Sequence, residues 1–155
     1  MAHADVAPDD VEGLTTTVGP YRISWSRMAV AHSLIWSISE LHTLAARAED
    51  GPSRPPLATG PWVAAVIAGL WAQSDAVAEL RRRNVELGAL QQVDIRYLGP
   101  VHGEDLIYAR CQVRSCTVGE DGRTGSLTVE DACFDATERA LLSCRRTYRY
   151  SRAVA

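Results

Sequence analysis

The sequence predicts an α+β fold in which a curved antiparallel β-sheet wraps around one buried central helix, at about 60–73. Two observations carry this expectation. Trp62 to Ala72 is apolar on every side, and a helix of that kind is buried rather than surface-lying. From Leu90 onward the apolar residues recur with period two instead, through four segments separated by turn residues. A sheet curled around the helix satisfies both patterns, because its apolar face meets the helix's apolar surface.

The elements follow in order. Residues 1–13 are acidic and rich in Pro and Ala, and read as a disordered tail ahead of a single domain over 14–151. Leu14 to Trp25 reads as one strand, broken or bent at Gly19-Pro20. Ser24 or Ser26 can cap a helix running to about Trp36, and a second short helix is expected over Leu41 to Ala48. Glu49 to Pro56 is a loop by its Gly, Pro and Ser content. Gly60-Pro61 opens the apolar helix, since proline is tolerated in a first turn whose N–H groups lie outside the helical ladder. Asp75 to Glu86 is polar and extends or follows that helix on the surface, with Arg81-Arg82-Arg83 as a solvated face. The strands are then Val93 to Tyr97, Leu106 to Thr117, Ser126 to Phe134 and Ala140 to Tyr150, with turns at Pro100 to Asp105, Gly119 to Gly122 and Asp135 to Glu138.

Composition removes several functions. A length of 155 residues suits one domain with its own core. The net charge of -3 offers no basic footprint for nucleic acid. No apolar run approaches the roughly 18 residues of a membrane span, so no membrane partner and a cytoplasmic location are expected. All 16 basic residues are arginine, and the lack of lysine excludes Schiff-base chemistry and a P-loop. Cys111, Cys116, Cys133 and Cys144 form no C-x-x-C pair and read as buried thiols in a reducing cytosol. No two of His3, His32, His42 and His102 have metal-ligand spacing, so neither a metal nor another cofactor is expected.

Three stretches resemble the MaoC-like acyl dehydratases, the (R)-specific enoyl-thioester hydratase group of the hot-dog fold. Ser37-Ile38-Ser39-Glu40-Leu41-His42, with Ala45 and Ala46 after it, is similar to the family motif Gly-Asp-x-Asn-Pro-(Leu/Ile)-His. Pro56-Leu57-Ala58-Thr59-Gly60 resembles the apolar-Ala-His-Gly start of the central helix, with Thr59 where the family usually has His. Val93 to Leu106 resembles the family's strand-turn-strand Arg-Phe-x-x-Pro-Val-x-x-Gly-Asp-x-Leu. The resemblance implies a hot-dog domain and His42 as a catalytic base. The family's catalytic acid aligns with Ser37, its Asn with Ser39 and its Pro with Glu40.

Hydration of an enoyl thioester needs a base for water, an acid for the α-carbon and donors for the thioester oxygen. His42 serves the first need, Ser37 occupies the position of the second, and Glu40 is the nearby carboxylate that can substitute. The head of the buried helix serves the third, through the amides of Gly60 and Trp62 and the helix dipole, with Thr59 beside them. Trp36, Trp62 and Trp71 suit a core or tunnel wall for an acyl or polyketide chain. The central helix carries no acid before Asp75, which disfavours hot-dog mechanisms that place a carboxylate there.

Three functions stay open: a dehydratase or hydratase (a lyase of fatty-acid or polyketide metabolism) with an altered dyad; a divergent hot-dog enzyme for cyclisation, isomerisation or thioester hydrolysis; and a non-catalytic partner subunit of a heterodimeric dehydratase. The substrate would be an acyl or polyketide thioester on coenzyme A or an acyl carrier protein, with Arg54 and Arg81 to Arg83 as candidate phosphate contacts. Hot-dog domains usually pair edge to edge, so a homodimer or a heterodimer with another hot-dog chain is expected.

Overall fold

The computed structural model describes residues 11–34 and 56–152, with the backbone alone at 32–34. Its elements are β1 (Thr15–Arg22), α1 (Trp25–Leu34), α2 (Gly60–Ala72), α3 (Asp75–Arg82), β2 (Val85–Tyr97), β3 (Leu106–Val118), β4 (Thr124–Asp135) and β5 (Ala140–Arg152). All five strands join one antiparallel sheet in the order β1-β3-β4-β5-β2. The sheet curls around α2, which is the α+β hot-dog architecture expected from the sequence.

Strand alternation sorts the sheet into two faces. Inward go Ile107, Ala109, Cys111 and Val113 of β3, Leu127, Val129 and Cys133 of β4, and Leu142, Cys144 and Tyr150 of β5, all buried. Against them α2 turns Val63, Ala64, Ile67 and Trp71, spaced to lie on one helical face. The small residues Ala65, Gly69 and Ala72 occupy its far side and stay exposed. Among the described residues no single helix is long and apolar enough to cross a membrane.

The buried charges are the feature that the sequence reading missed. Asp131 and Arg146 face inward, and their side chains are 1% and 2% exposed. Arg146 Nε and Nη2 donate to the two Asp131 carboxylate oxygens, each at 2.7 Å. Its Nη1 donates to the Tyr148 hydroxyl at 2.5 Å, and its guanidinium carbon lies 4.9 Å from the Trp71 ring centroid. Burial works against the Arg146 charge, but the bonds to Asp131 and that carboxylate's attraction together outweigh it and raise the pKa. Burial, with Asp131 nearby, pushes the Cys133 thiol up to about 12 and Cys144 to about 11. All four cysteines are buried free thiols, as the sequence suggested.

Two boundaries differ from the sequence expectation, and a third, left open there, is settled. The strand expected from Leu90 starts at Val85. Asn84, at a φ of 62°, ends α3, and Val85 and Leu87 already point inward; register irregularities between Leu87 and Gln92 interrupt the alternation that would have revealed it. Val11 to Gly13, assigned to the tail, are docked: Val11 is 1% exposed, the Gly13 N–H donates to the Val113 carbonyl, and Glu12 accepts from the Cys116 N–H. The polar segment after α2 is a separate helix, α3, bent 51° from it. Its triple arginine includes Arg82 and Arg83 on the Glu79 carboxylate, which their hydrogen bonds hold below the usual carboxylate range. His102 is half-buried and bridges to Leu57. The helix expected over Leu41 to Ala48 lies outside the described residues, as does Arg54.

Leaving one buried ion without its partner is destabilising by about 3–5 kcal/mol. Arg146→Met is therefore expected to lose about that much in urea unfolding, and the double variant Asp131→Leu/Arg146→Met to regain most of it. Equal losses in the two variants would show that packing, not the stranded charge, sets the effect.

Candidate active site

The head of α2 is held by backbone stitching to the turn before β3. The Ala58 N–H donates to the Val101 carbonyl (2.8 Å) and the Gly103 N–H to the Pro56 carbonyl (3.0 Å), on either side of the Leu57–His102 bridge. The turn is fixed in its own right, since the Asp105 carboxylate accepts from the His102 N–H at 2.8 Å. The Pro-Val-His-Gly-Glu-Asp segment therefore acts as a bracket that aims the chain into the helix.

Thr59 is the N-cap, buried, in extended conformation, with no side-chain capping bond to the helix. The helical ladder opens with the Val63 N–H donating to the Thr59 carbonyl at 3.1 Å. The amides of Gly60 and Trp62 head the helix, and Pro61 between them has none. No acidic side chain stands in the first turn, so none there offsets the positive end of the dipole.

A cavity of about 480 Å³ opens on this helix head. Leu57, Ala58, Thr59 and Val63 form one wall. Tyr97, Val101, Leu141 and Leu142 face them from the ends of β2 and β5 and the bracket. Its size and mostly apolar lining suit a small organic ligand. Only Thr59 and Tyr97 bring side-chain hydroxyls to its described lining. Tyr97 is 58% exposed yet lies against Gly60: a Cβ built on Gly60 would sit 1.8 Å from the Tyr97 ring. Any side chain at position 60 would have to displace that ring, which its exposure leaves room to move.

Of the residues singled out in the sequence, the structure brings Thr59 and Gly60 to the cavity. Trp62 contributes its amide to the helix head, while its half-buried ring packs against the core. Trp71 is buried twelve residues from the N-cap, beside Arg146, and is core. Ser37, Glu40, His42 and Trp36 lie outside the described residues. Tyr97, Leu141 and Leu142 were not singled out; the available signal was Tyr97-Leu98-Gly99-Pro100-Val101, whose resemblance was read as structural. Among the described residues no group of three or more His, Cys, Asp or Glu is placed to hold a metal ion.

The sequence matches no protein-family model and no curated protein. Its structure is similar to many solved ones. The C-terminally truncated HadBC (3R-hydroxyacyl-ACP dehydratase) complex from Mycobacterium tuberculosis matches with a TM-score of 0.73 at 12% identity, covering 92% of this chain and 99% of that one. A MaoC-like dehydratase from Rhodospirillum rubrum gives 0.70 at 13% identity over 97% of both chains. An (R)-hydratase from A. caviae involved in PHA biosynthesis gives 0.62 at 18% identity, covering 92% and 96%. At such identities the shared property is the fold, and that fold is the hot-dog fold of MaoC-like dehydratases and (R)-hydratases.

Gly60→Ala is expected to push the exposed Tyr97 ring off the helix head and lower stability by about 1 kcal/mol, the low end of the range for overpacking. Adding Tyr97→Ala should recover most of that loss in thermal unfolding. A double variant no more stable than Gly60→Ala alone would mean that the two residues are not coupled.

Proposed function

We propose that this chain is a hot-dog enzyme that adds water to, or removes it from, an acyl or polyketide thioester. The supporting observation is the apolar cavity that opens on the head of α2. A thioester carbonyl placed there would meet the Gly60 and Trp62 amides and the helix dipole, which favour the negative charge that develops on its oxygen. The acyl chain would lie between Leu57 and Val63 on one side and Val101 and Leu142 on the other. The solved structures that share the fold include a dehydratase and a hydratase by name, which is consistent with this reading.

In this reading His42 takes the proton from water and the α-carbon receives one in return. Ser37 stands where the related motif has its acid, so Glu40 or a water held by Ser37 must deliver that proton. No cofactor takes part. The thioester is carried on coenzyme A or an acyl carrier protein, and the reaction is that of a lyase.

The chain also needs a partner along β2. Across the inner face, residues pair in rows: Ala109, Cys133, Leu142 and Tyr97 form one, and Val113, Val129, Arg146 and Val93 another. Each row is buried until it reaches β2, where Tyr97 is 58% and Val93 43% exposed, with Leu90 on the same strand at 48%. β2 is a sheet edge, hydrogen-bonded on one side to β5. Among the described residues this thirteen-residue edge is unpaired and carries exposed Leu90, Val93 and Tyr97, a surface that a second hot-dog chain, identical or homologous, would cover.

Two experiments test this. Hydration of a crotonyl-type thioester should fall by about 10²–10⁴ in His42→Ala; equal rates would remove His42 from the mechanism. Wild type inactive alone but active when mixed with a hot-dog chain bearing an intact Asp/His pair would instead assign it the partner-subunit role. In sedimentation the wild type should run as a dimer and Leu90→Arg/Val93→Arg as a monomer, because two charges would be buried in the contact. A dimer that survives both substitutions would place the interface elsewhere.

A further inference from the structure

We propose that the outer face of the sheet carries a second binding site, a two-arginine cradle for a phosphate-bearing anion. A groove of about 500 Å³ lies on the polar face, turned away from α2. Strand register builds it. Arg110 pairs with Ala132, Ala132 with Ser143, and Ser143 with Arg96. These four form one row across β3, β4, β5 and β2, with an arginine at each end and two short side chains as the floor. The ends of the row are three strand spacings apart, about 14 Å, a gap that two extended arginine side chains can close from both sides.

The neighbouring row, Gln112, Glu130, Arg145 and Asp94, forms one wall of the groove. Glu130 accepts from Arg145 and Arg114, each at 2.6 Å, and those bonds hold its carboxyl below the ordinary carboxylate range. It is therefore committed to those two cations. Among the described residues no carboxylate forms an ion pair with Arg96 or Arg110; the Arg110 guanidinium lies 5.9 Å from the Phe134 ring centroid. The groove sets four arginines against three carboxylates, of which Asp131 is already paired with Arg146 from the inner face, on a chain whose net charge is -3. Positive potential is concentrated here against the sign of the whole protein.

Guanidinium forks match phosphate oxygens in pairs, and two of them over a floor of Ala132 and Ser143 leave room for a tetrahedral group, with the Ser143 hydroxyl as a further donor. The ligand class is thus a small anion bearing phosphate, above all a diphosphate that engages both arginines. The sheet separates this cradle from the acyl cavity: Ser143 and Leu142 are adjacent in β5, as are Arg96 and Tyr97 in β2, and each pair points to opposite faces. The site therefore goes beyond the thioester reading and does not rest on it.

The test is calorimetric titration of the full chain with sodium pyrophosphate at low salt. Saturable one-to-one binding is expected, weakened about tenfold or more by Arg96→Ala or Arg110→Ala, the size of a lost charge-assisted hydrogen bond. Ala132→Glu should abolish it by filling the floor with like charge, while Arg123→Ala, in the β3–β4 turn, should leave it unchanged. Circular dichroism should show every variant folded, the double Arg96→Ala/Arg110→Ala included. Displacement of pyrophosphate by coenzyme A would identify a nucleotide's diphosphate as a source; failure to displace would confine the site to small free phosphates. The proposal is overturned by no saturable binding to wild type, by binding that persists in Arg96→Ala/Arg110→Ala, by equal weakening in Arg123→Ala, or by binding of an acidic protein alone. None of these readouts involves turnover, so failure here leaves the hydratase reading standing, and the converse.

Discussion

Asp131 and Arg146 hold opposite charges almost out of reach of water, and the arrangement of layers turns on them. Removing two ions from water is unfavourable by several kcal/mol each, on the order of magnitude known for proteins. What offsets it is geometry: two parallel bonds of 2.7 Å, a Tyr148 hydroxyl on the remaining nitrogen and the Trp71 ring against the guanidinium. Hydrophobic contacts around the pair are non-directional and tolerate sliding. A bidentate pair is directional. It fixes β4 to β5 on the inner face and sets Trp71, at the C-terminal end of α2, over a defined point of β5. With that end of the helix pinned in the core, the other end is left over Leu141 and Leu142, where the cavity opens.

The two ends of α2 thus have different surroundings. At Trp71 the helix meets charge, aromatic rings and buried thiols. At Gly60 it meets an apolar hollow, and the chain is led there by a bracket of backbone bonds that depends on few side chains. Rigid support under the helix head is what electrostatic stabilisation requires, since donors that must move to meet developing charge lose most of their advantage.

Much of this was legible in the sequence. The all-apolar run announced α2, and the change to period two announced β3, β4 and β5 within a residue or two. Glycine and the hydrogen-bonding Asp121 and Asp135 marked the hairpins, where Asp121 accepts from the Arg123 and Thr124 amides and Asp135 from those of Thr137 and Arg139. The start of β2 was hidden because its irregular register breaks the alternation at Gly88 to Gln91. The inward Asp131–Arg146 pair was hidden for a different reason: each residue alone looks like surface, and only the register that sets Asp131 opposite Cys144 and Arg146 opposite Val129 makes them diagonal neighbours. The helix head and Thr59 were readable from Gly60-Pro61 and the motif before it, but the opposing wall at Tyr97 and Leu141–Leu142 comes from distant strands and exists only once they pair.

Tyr97 belongs to two structures at once. Its backbone ends the edge strand β2, paired with Leu142, and its ring closes over Gly60 at the mouth of the cavity. More than half of its surface is still open to solvent. Any chain that lines up along β2 therefore touches the same ring that shapes the cavity mouth, and any ligand that enters must share that ring with the neighbour. With a second copy of the chain along β2, occupancy of the edge and occupancy of the hollow would be linked quantities, and the hollow's apparent affinity for a ligand would vary with protein concentration.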